Sequence, residues 1–281
     1  MQKKMSVSEK IISYIMLVAV ALVFMFPLIW MVVSSFKNDV QIFTDISSLK
    51  AFVPSFMEDI FVNYREVVQK MPLLQAMVHS LGYIVVTITL GLVVNSMAGY
   101  AFARLKFPGK NFFFSVILAV MIIPVQTVML PQFSIIYKMG FTNSYLGLIF
   151  PAIANPMYIF LFRQNFLGIP ESIEEAAKLD GAGPLRVFFQ LVVPLAKPIY
   201  ATVIILQFIL LWNDFVWPVM VISDTEKQTV QMALSSLFNI KPVNYGNVMA
   251  GLTIVTIPVL ILFLALQKYY VAGVASTGAK N

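Results

Sequence analysis

The sequence predicts an all-α integral membrane protein with six transmembrane helices. Three observations carry that expectation. Of 281 residues, 59% are apolar and 11% are charged, against roughly 45–50% and about 25% in an ordinary soluble domain. Asp, Glu, Lys and Arg are absent from six stretches: 11–36, 71–103, 111–137, 139–162, 198–213 and 242–267. The remaining cations are unevenly divided between alternate connecting segments, as orientation in a membrane requires.

A helix crossing about 30 Å of hydrocarbon needs about 20 mostly apolar residues. The first stretch follows Lys3, Lys4 and Lys10, like a signal peptide. Its apolar run is too long for one and no small-x-small cleavage site closes it, so an uncleaved anchor helix is expected. The second, third, fourth and sixth stretches are long enough outright. The fifth has 16 residues and reaches full length only by including Asp214, although Ile199 to Val219 is otherwise strongly apolar. The expected spans are about 11–36, 73–103, 111–131, 142–162, 198–219 and 246–267, within one transmembrane domain, 1–281. Pro27, Pro124, Pro151, Pro156 and Pro258 fall inside these stretches or their ends. Each removes a backbone donor and kinks a helix, which lipid tolerates only where neighbours satisfy the freed carbonyl.

With the N-terminus inside, the inner segments 1–10, 104–110, 163–197 and 268–281 hold 12 of the 19 Lys and Arg but 5 of the 13 acids. Arg104, Lys106 and Lys110 fall within seven residues with no acid among them. Both termini are then cytoplasmic. Two outer segments, Lys37 to Lys70 and about Trp217 to Gly246, mix aromatic, acidic and amide residues. They read as solvated connectors or as docking surfaces for an extracytoplasmic partner.

Several chemistries are excluded. There is no Cys and one His, His79, so thiolate sites and His-cluster metal sites are out. No G-x-x-x-x-G-K-[ST] loop occurs; Gly109-Lys110-Asn111 lacks the earlier Gly and the hydroxyl. The positive charge is interrupted by apolar runs, leaving no basic face for nucleic acid. An ion-coupled transporter needs intramembrane carboxylates, and Asp214 alone is available. A membrane enzyme needs converging acids, bases or metal ligands, which one His and one Asp do not supply. His79 has an expected structural role.

The connection 163–197 is the most informative. Pro170 suits the start of a helix. Glu171, Glu174 and Glu175 favour its positive end, and Gly181 stops it. A helix over 170–180 follows. Ala176 and Ala177 let another protein approach closely, and three glutamates do not suit an anionic leaflet. A partner groove is therefore expected.

Glu175-Ala176-Ala177, three residues, Gly181, nine residues, then Leu191-Val-Val193-Pro194 resembles the cytoplasmic signature E-A-A-x3-G-x9-I-x-L-P of permease subunits of bacterial ABC importers. Leu191 stands for Ile and Val193 for Leu. Gly99-Tyr-Ala-Phe-Ala-Arg104-Leu-Lys-Phe-Pro-Gly109, Leu211-Trp-Asn-Asp-Phe-Val-Trp-Pro218 and the tail Gln267 to Lys280 resemble carbohydrate importers of the maltose type, and the smaller of their two permeases.

The resemblance implies an ABC importer permease fold with a cytoplasmic coupling helix, in a bacterial cytoplasmic membrane. It implies a heterodimer with a second permease, two ATPase subunits and an extracytoplasmic solute-binding protein. The chain itself is then no enzyme and binds no cofactor or metal; ATP and magnesium belong to the ATPase. Glu174, Glu175, Ala176, Ala177, Asp180, Gly181 and Pro194 would form the ATPase-coupling segment. The cargo would be a sugar or oligosaccharide, the alternative being glycerol-3-phosphate or another polyol phosphate.

Polar and aromatic residues within spans are the candidates for the substrate path: Asn95, Gln126, Asn155, Tyr158, Gln207, Trp212, Asn213 and Asp214, with Ser96, Tyr100 and Gln132 beside them. Amides and aromatic faces suit neutral polyhydroxyl ligands. For any one of them, tying helices together at roughly 0.6–2 kcal/mol is the stronger expectation.

Overall fold

The computed structural model describes residues 6–55 and 59–278. Lys3, Lys4, Glu58 and Lys280, which enter the charge count, lie outside these, as does the end of the tail, Ala279 to Asn281. Every regular element among the described residues is helical.

In chain order the helices are α1 (Val7–Ser34), α2 (Asp39–Asp45), α3 (Val62–Lys70), α4 (Leu73–Arg104), α5 (Lys110–Val120), α6 (Val125–Lys138), α7 (Tyr145–Ala152) and α8 (Pro156–Leu167). They continue as α9 (Glu171–Leu179), α10 (Pro184–Val187), α11 (Val193–Leu195), α12 (Lys197–Trp212), α13 (Val216–Val221), α14 (Val230–Ser236) and α15 (Tyr245–Gly278). Helices α1, α4 and the Tyr245–Lys268 part of α15 are each long and apolar enough to cross a membrane alone. Three further candidates are bent pairs: α5 with α6 at 104°, α7 with α8 at 42°, and Pro184–Leu195 with α12 at 78°.

Two of the three breaks follow from prolines. Pro124 has extended backbone (φ −60°, ψ 131°) and starts α6. Pro156 is the first residue of α8, so it offers no N–H to the Ala152 carbonyl four residues earlier. Pro27, Pro151 and Pro258 stay inside α1, α7 and α15.

The fifth stretch departs from expectation. α12 ends at Trp212, and Asn213 and Asp214 lie in a non-helical break before α13. The amide of Asn213 donates to Ile209 O at 2.8 Å, and Asp214 Oδ1 accepts from Trp217 N at 3.3 Å. Each side chain thus serves a helix end, one closing α12 and the other starting α13.

The described chain divides into two compact units, with boundaries at Leu74, Met232 and Ile257. The first, up to Leu74 plus 233–257, is held by polar ties. Lys37, 1% exposed, pairs with Asp45 at 3.0 Å and donates to Lys50 O at 2.6 Å. Asn63 donates to Ser35 O and Lys37 O, both at 2.8 Å. Asp39 accepts from Gly246 N at 3.1 Å.

The second unit, 75–232 plus 258 onward, is built on close helix contacts. A Cβ on Gly99 of α4 would lie 2.6 Å from the Cβ of Phe162 and 3.0 Å from Arg163 N, so α8 crosses α4 at backbone distance. Phe162, Phe166, Val187, Phe188, Val192 and Val203 close the core beside it.

Candidate functional site

Helix α9 is short and has well-defined ends. Pro170 occupies the N-cap rather than the first helical position, with extended backbone, and Glu171 and Glu174 fill the first turn. At the other end Gly181 takes φ +82°. Its N–H donates to Lys178 O and Ala182 N donates to Ala177 O, both at 3.0 Å. These two bonds form a Schellman cap, which needs the left-handed residue that glycine supplies.

The two faces of α9 differ. Glu174 is 3% exposed and Ala177 packs on the Phe162–Phe188 core. Glu175, Ala176, Lys178, Leu179 and Asp180 are exposed, and Leu179 retains 90% of its surface. Leu179 is thus an apolar side chain standing out from the helix beside small and charged ones. Sequence reasoning missed Leu179. Its signal is an apolar residue about one helical turn after Ala176, off the buried face.

Glu174 faces its own chain. Arg104 at the end of α4 donates Nε to Glu174 Oε1 at 2.7 Å, and Tyr100 OH donates to Oε2 at 2.8 Å. Arg104 also donates to Ile169 O and, at 3.4 Å, to Glu171. With both carboxylate oxygens used within the chain, Glu174 does not present a free charge to a partner. Within the expected coupling set, this separates its role from that of Glu175. The Tyr100 ring meets Phe188 at 5.1 Å and Phe166 at 6.1 Å, which fixes the hydroxyl.

After α10 the chain widens into a π-turn over Phe188–Val192, with Val193 N donating to Phe188 O. Pro194 follows and has no N–H for Gln190 O, which accounts for the irregular turn just ahead of it. Pro194 is exposed. Beside this region Lys110 donates to Ala103 O at 3.3 Å and Leu105 O at 3.0 Å, closing the end of α4.

A cavity of about 400 Å³ lies in the second unit, lined by Tyr83, Gln132, Asn155, Tyr158, Gln207 and Asp214 among apolar residues including Pro151, Leu211 and Trp217. Four of the eight expected path residues therefore reach it: Asn155, Tyr158, Gln207 and Asp214. The other four do not line it. Trp212 is 1% exposed and stacks on Phe208 at 5.4 Å. Asn213 closes α12, Gln126 is exposed, and Asn95 is 0% exposed. Ser96 bonds back to Leu92 O and Tyr100 serves Glu174. His79 stands against Tyr145 at 5.5 Å and does not line the cavity. Tyr83 was not expected; its hydroxyl donates to Leu211 O at 3.0 Å.

The break between α7 and α8 shapes one wall. Pro156 leaves Ala152 O without its helical donor, and Gln207 Nε2 supplies one at 3.1 Å. Met157 N turns to Asn155 Oδ1, and Asn95 Nδ2 reaches Ile153 O at 2.8 Å instead. Asn95 Oδ1 also accepts from Asn155 N at 2.8 Å. Gln207 Oε1 is buried and has no hydrogen-bond partner among the described residues.

A profile of the family described as binding-protein-dependent transport system inner membrane component matches residues 88–276. The chain belongs to this family. It is thus a multi-pass permease component of a cytoplasmic membrane transport system. The permease is 37% identical over 197 residues to the arabinooligosaccharides transport system permease protein AraQ of Halalkalibacterium halodurans, covering 70% of this chain and 71% of that one. It is 31% identical to the lactose transport system permease protein LacG of Rhizobium radiobacter over 94% of both chains. It is 33% identical to the sn-glycerol-3-phosphate transport system permease protein UgpE of Yersinia pestis, over 68% of this chain and 69% of that one. Among solved structures it matches a bacterial ABC transporter involved in the import of the acidic polysaccharide alginate. The TM-score is 0.82 at 24% identity, covering 96% of this chain and 100% of that chain. The permease fold is therefore shared with that transporter.

Proposed function

We propose that this permease moves a sugar or oligosaccharide across the cytoplasmic membrane as part of an ATP-driven importer. The observation that carries the cargo class is the cavity lining: two phenols, three amides, one carboxylate and, among the described lining residues, no Lys or Arg. Amide and phenol groups match hydroxyls, while a phosphate ester calls for cationic partners. The arabinooligosaccharide and lactose relatives support the same cargo. The glycerol-3-phosphate relative keeps a polyol phosphate as the second reading.

In this reading the three unbroken helices and three bent pairs make six spans, with both termini in the cytoplasm. The 163–197 connection is the coupling loop, with α9 seated in a cleft of an ATPase subunit. Glu175, Ala176 and Leu179 face that cleft, Asp180 and Gly181 turn the chain beneath it, and Pro194 follows on the return. The partners are a second permease, two ATPase subunits and a solute-binding protein that docks on the outer segments 37–70 and 217–246. The permease performs no catalysis; ATP and magnesium are handled by the ATPase.

The test is purification of the intact complex, with calorimetry of sugars and of glycerol-3-phosphate on its binding protein, followed by uptake into vesicles. Binding and uptake of a sugar are expected. Selective uptake of the phosphate ester would replace the sugar reading with the second one.

A further inference from the structure

The buried cluster at the end of α4 has a use beyond holding the fold. Arg104 and Tyr100 lie one turn apart on α4 and between them take both carboxylate oxygens of Glu174, at 2.7 and 2.8 Å. Arg104 is 7% exposed in its side chain and Glu174 3%. Such a pair, desolvated and bonded from two directions, resists bending as a surface ion pair does not. The start of α9 is therefore fixed to α4.

Nine residues back along the same unbroken helix stands Asn95. At the helical rise that is about 14 Å. Asn95 holds Ile153 O and Asn155 N, two of the backbone groups freed by the break between α7 and α8. Asn155 lines the cavity. One helix with no proline between these points thus joins α9 to the cavity wall, with a polar clamp at each end.

We infer that α4 is a rigid strut that carries displacement of α9 to the cavity, with Arg104 and Tyr100 as positioning residues at one end and Asn95 at the other. This rests on the coupling role proposed for α9. A push on Glu175 and Leu179 reaches Glu174 directly because the three share one short helix. It passes to α4 through the Arg104 and Tyr100 bonds and arrives at Asn155 through Asn95. Were the Arg104–Glu174 joint soft, α9 would shift without moving the wall, and ATP would be consumed without transport.

The chain has no cysteine, which permits a direct test. In the full complex reconstituted in vesicles, with partner subunits free of reactive cysteine, Arg104→Cys and Glu174→Cys are introduced together. The readout is sugar moved per ATP hydrolysed. Without cross-linking the ratio should fall about tenfold, the size of an ordinary coupling between sites, while ATPase subunits stay bound through the outward face of α9. Joining the two cysteines with a short bifunctional thiol reagent should restore most of the ratio, because the strut works closed. A cross-link that leaves the ratio low, or abolishes the remaining transport, would show that the contact must open and would overturn the inference. If the double variant fails to insert, Glu174→Gln combined with Tyr100→Phe weakens the same joint at nearly constant volume. An unchanged ratio in that variant likewise overturns the strut. Glu175→Lys and Gly181→Leu separate the two levels. If they disturb coupling while the joint variants do not, only the strut fails. If they too couple normally, α9 is not the coupling element and both readings fall.

Discussion

Glu174 and Glu175 are neighbours in sequence and face opposite environments. Glu174 is 3% exposed with both oxygens bonded to Arg104 and Tyr100, whereas Glu175 is exposed. The consecutive carboxylates of α9 therefore divide the work, one holding the helix to its own chain and the other facing outward.

That division predicts opposite phenotypes. Glu174→Ala leaves the Arg104 guanidinium buried with weaker partners, at a cost of up to about 3–5 kcal/mol, and should lower the melting temperature of the purified permease. Glu175→Lys should leave the melting temperature alone and reduce the ATPase that co-purifies. Thermal melts and pull-downs on the same preparations read both, and equal effects from the two substitutions would contradict the split.

Among the described residues Gly181 has nothing within 4 Å of the position a Cβ would take, yet its φ is +82°. The penalty for a side chain there is backbone strain without a clash, roughly 1–2 kcal/mol for most residues and less for Asn. Gly181→Asn should therefore retain substantial transport, and Gly181→Val should lose most of it while still inserting. Loss of function in both alike would point to steric exclusion by a partner in place of the left-handed turn.

Gly99 shows the opposite case. Its φ is ordinary, but an added Cβ meets Phe162 Cβ at 2.6 Å and Arg163 N at 3.0 Å. Gly99→Ala should push α8 off α4 and destabilise by about 1–3 kcal/mol, the usual range for overpacking. Gly82→Ala, with nothing within 4 Å among the described residues, should be neutral or slightly stabilising, since alanine favours a helix. Paired melting curves of the two variants decide it.

The proposed orientation is open to labelling. Single cysteines at Ser6 and Ser172, both exposed, should resist membrane-impermeant thiol reagents in intact cells, and one at Ser47, also exposed, should react. Reaction at position 172 from outside would reverse the six-span arrangement.

The helical membrane fold was readable because lipid imposes a length and an apolar composition on every crossing. The ends of α9 were readable because Gly181 and the first-turn glutamates act locally. What the residues did not disclose was direction. Glu174 and Glu175 differ by one helical step of about 100°, and only Arg104 and Tyr100, some seventy residues away, decide which is buried. The same holds for the cavity: Asn95 and Tyr83 lie on one helix, yet the first ties a break and the second lines the wall. The Asn213–Asp214 break escaped because apolar residues on both sides read as one run.

The satisfied break between α7 and α8 also bears on how the chain is made. Ile153 O finds its donor in Asn95, which the ribosome has already synthesised, but Ala152 O waits for Gln207, more than fifty residues later. In hydrocarbon an unmet carbonyl is costly. Ala152 O therefore gains this donor only once α12 has been made and packed beside the break.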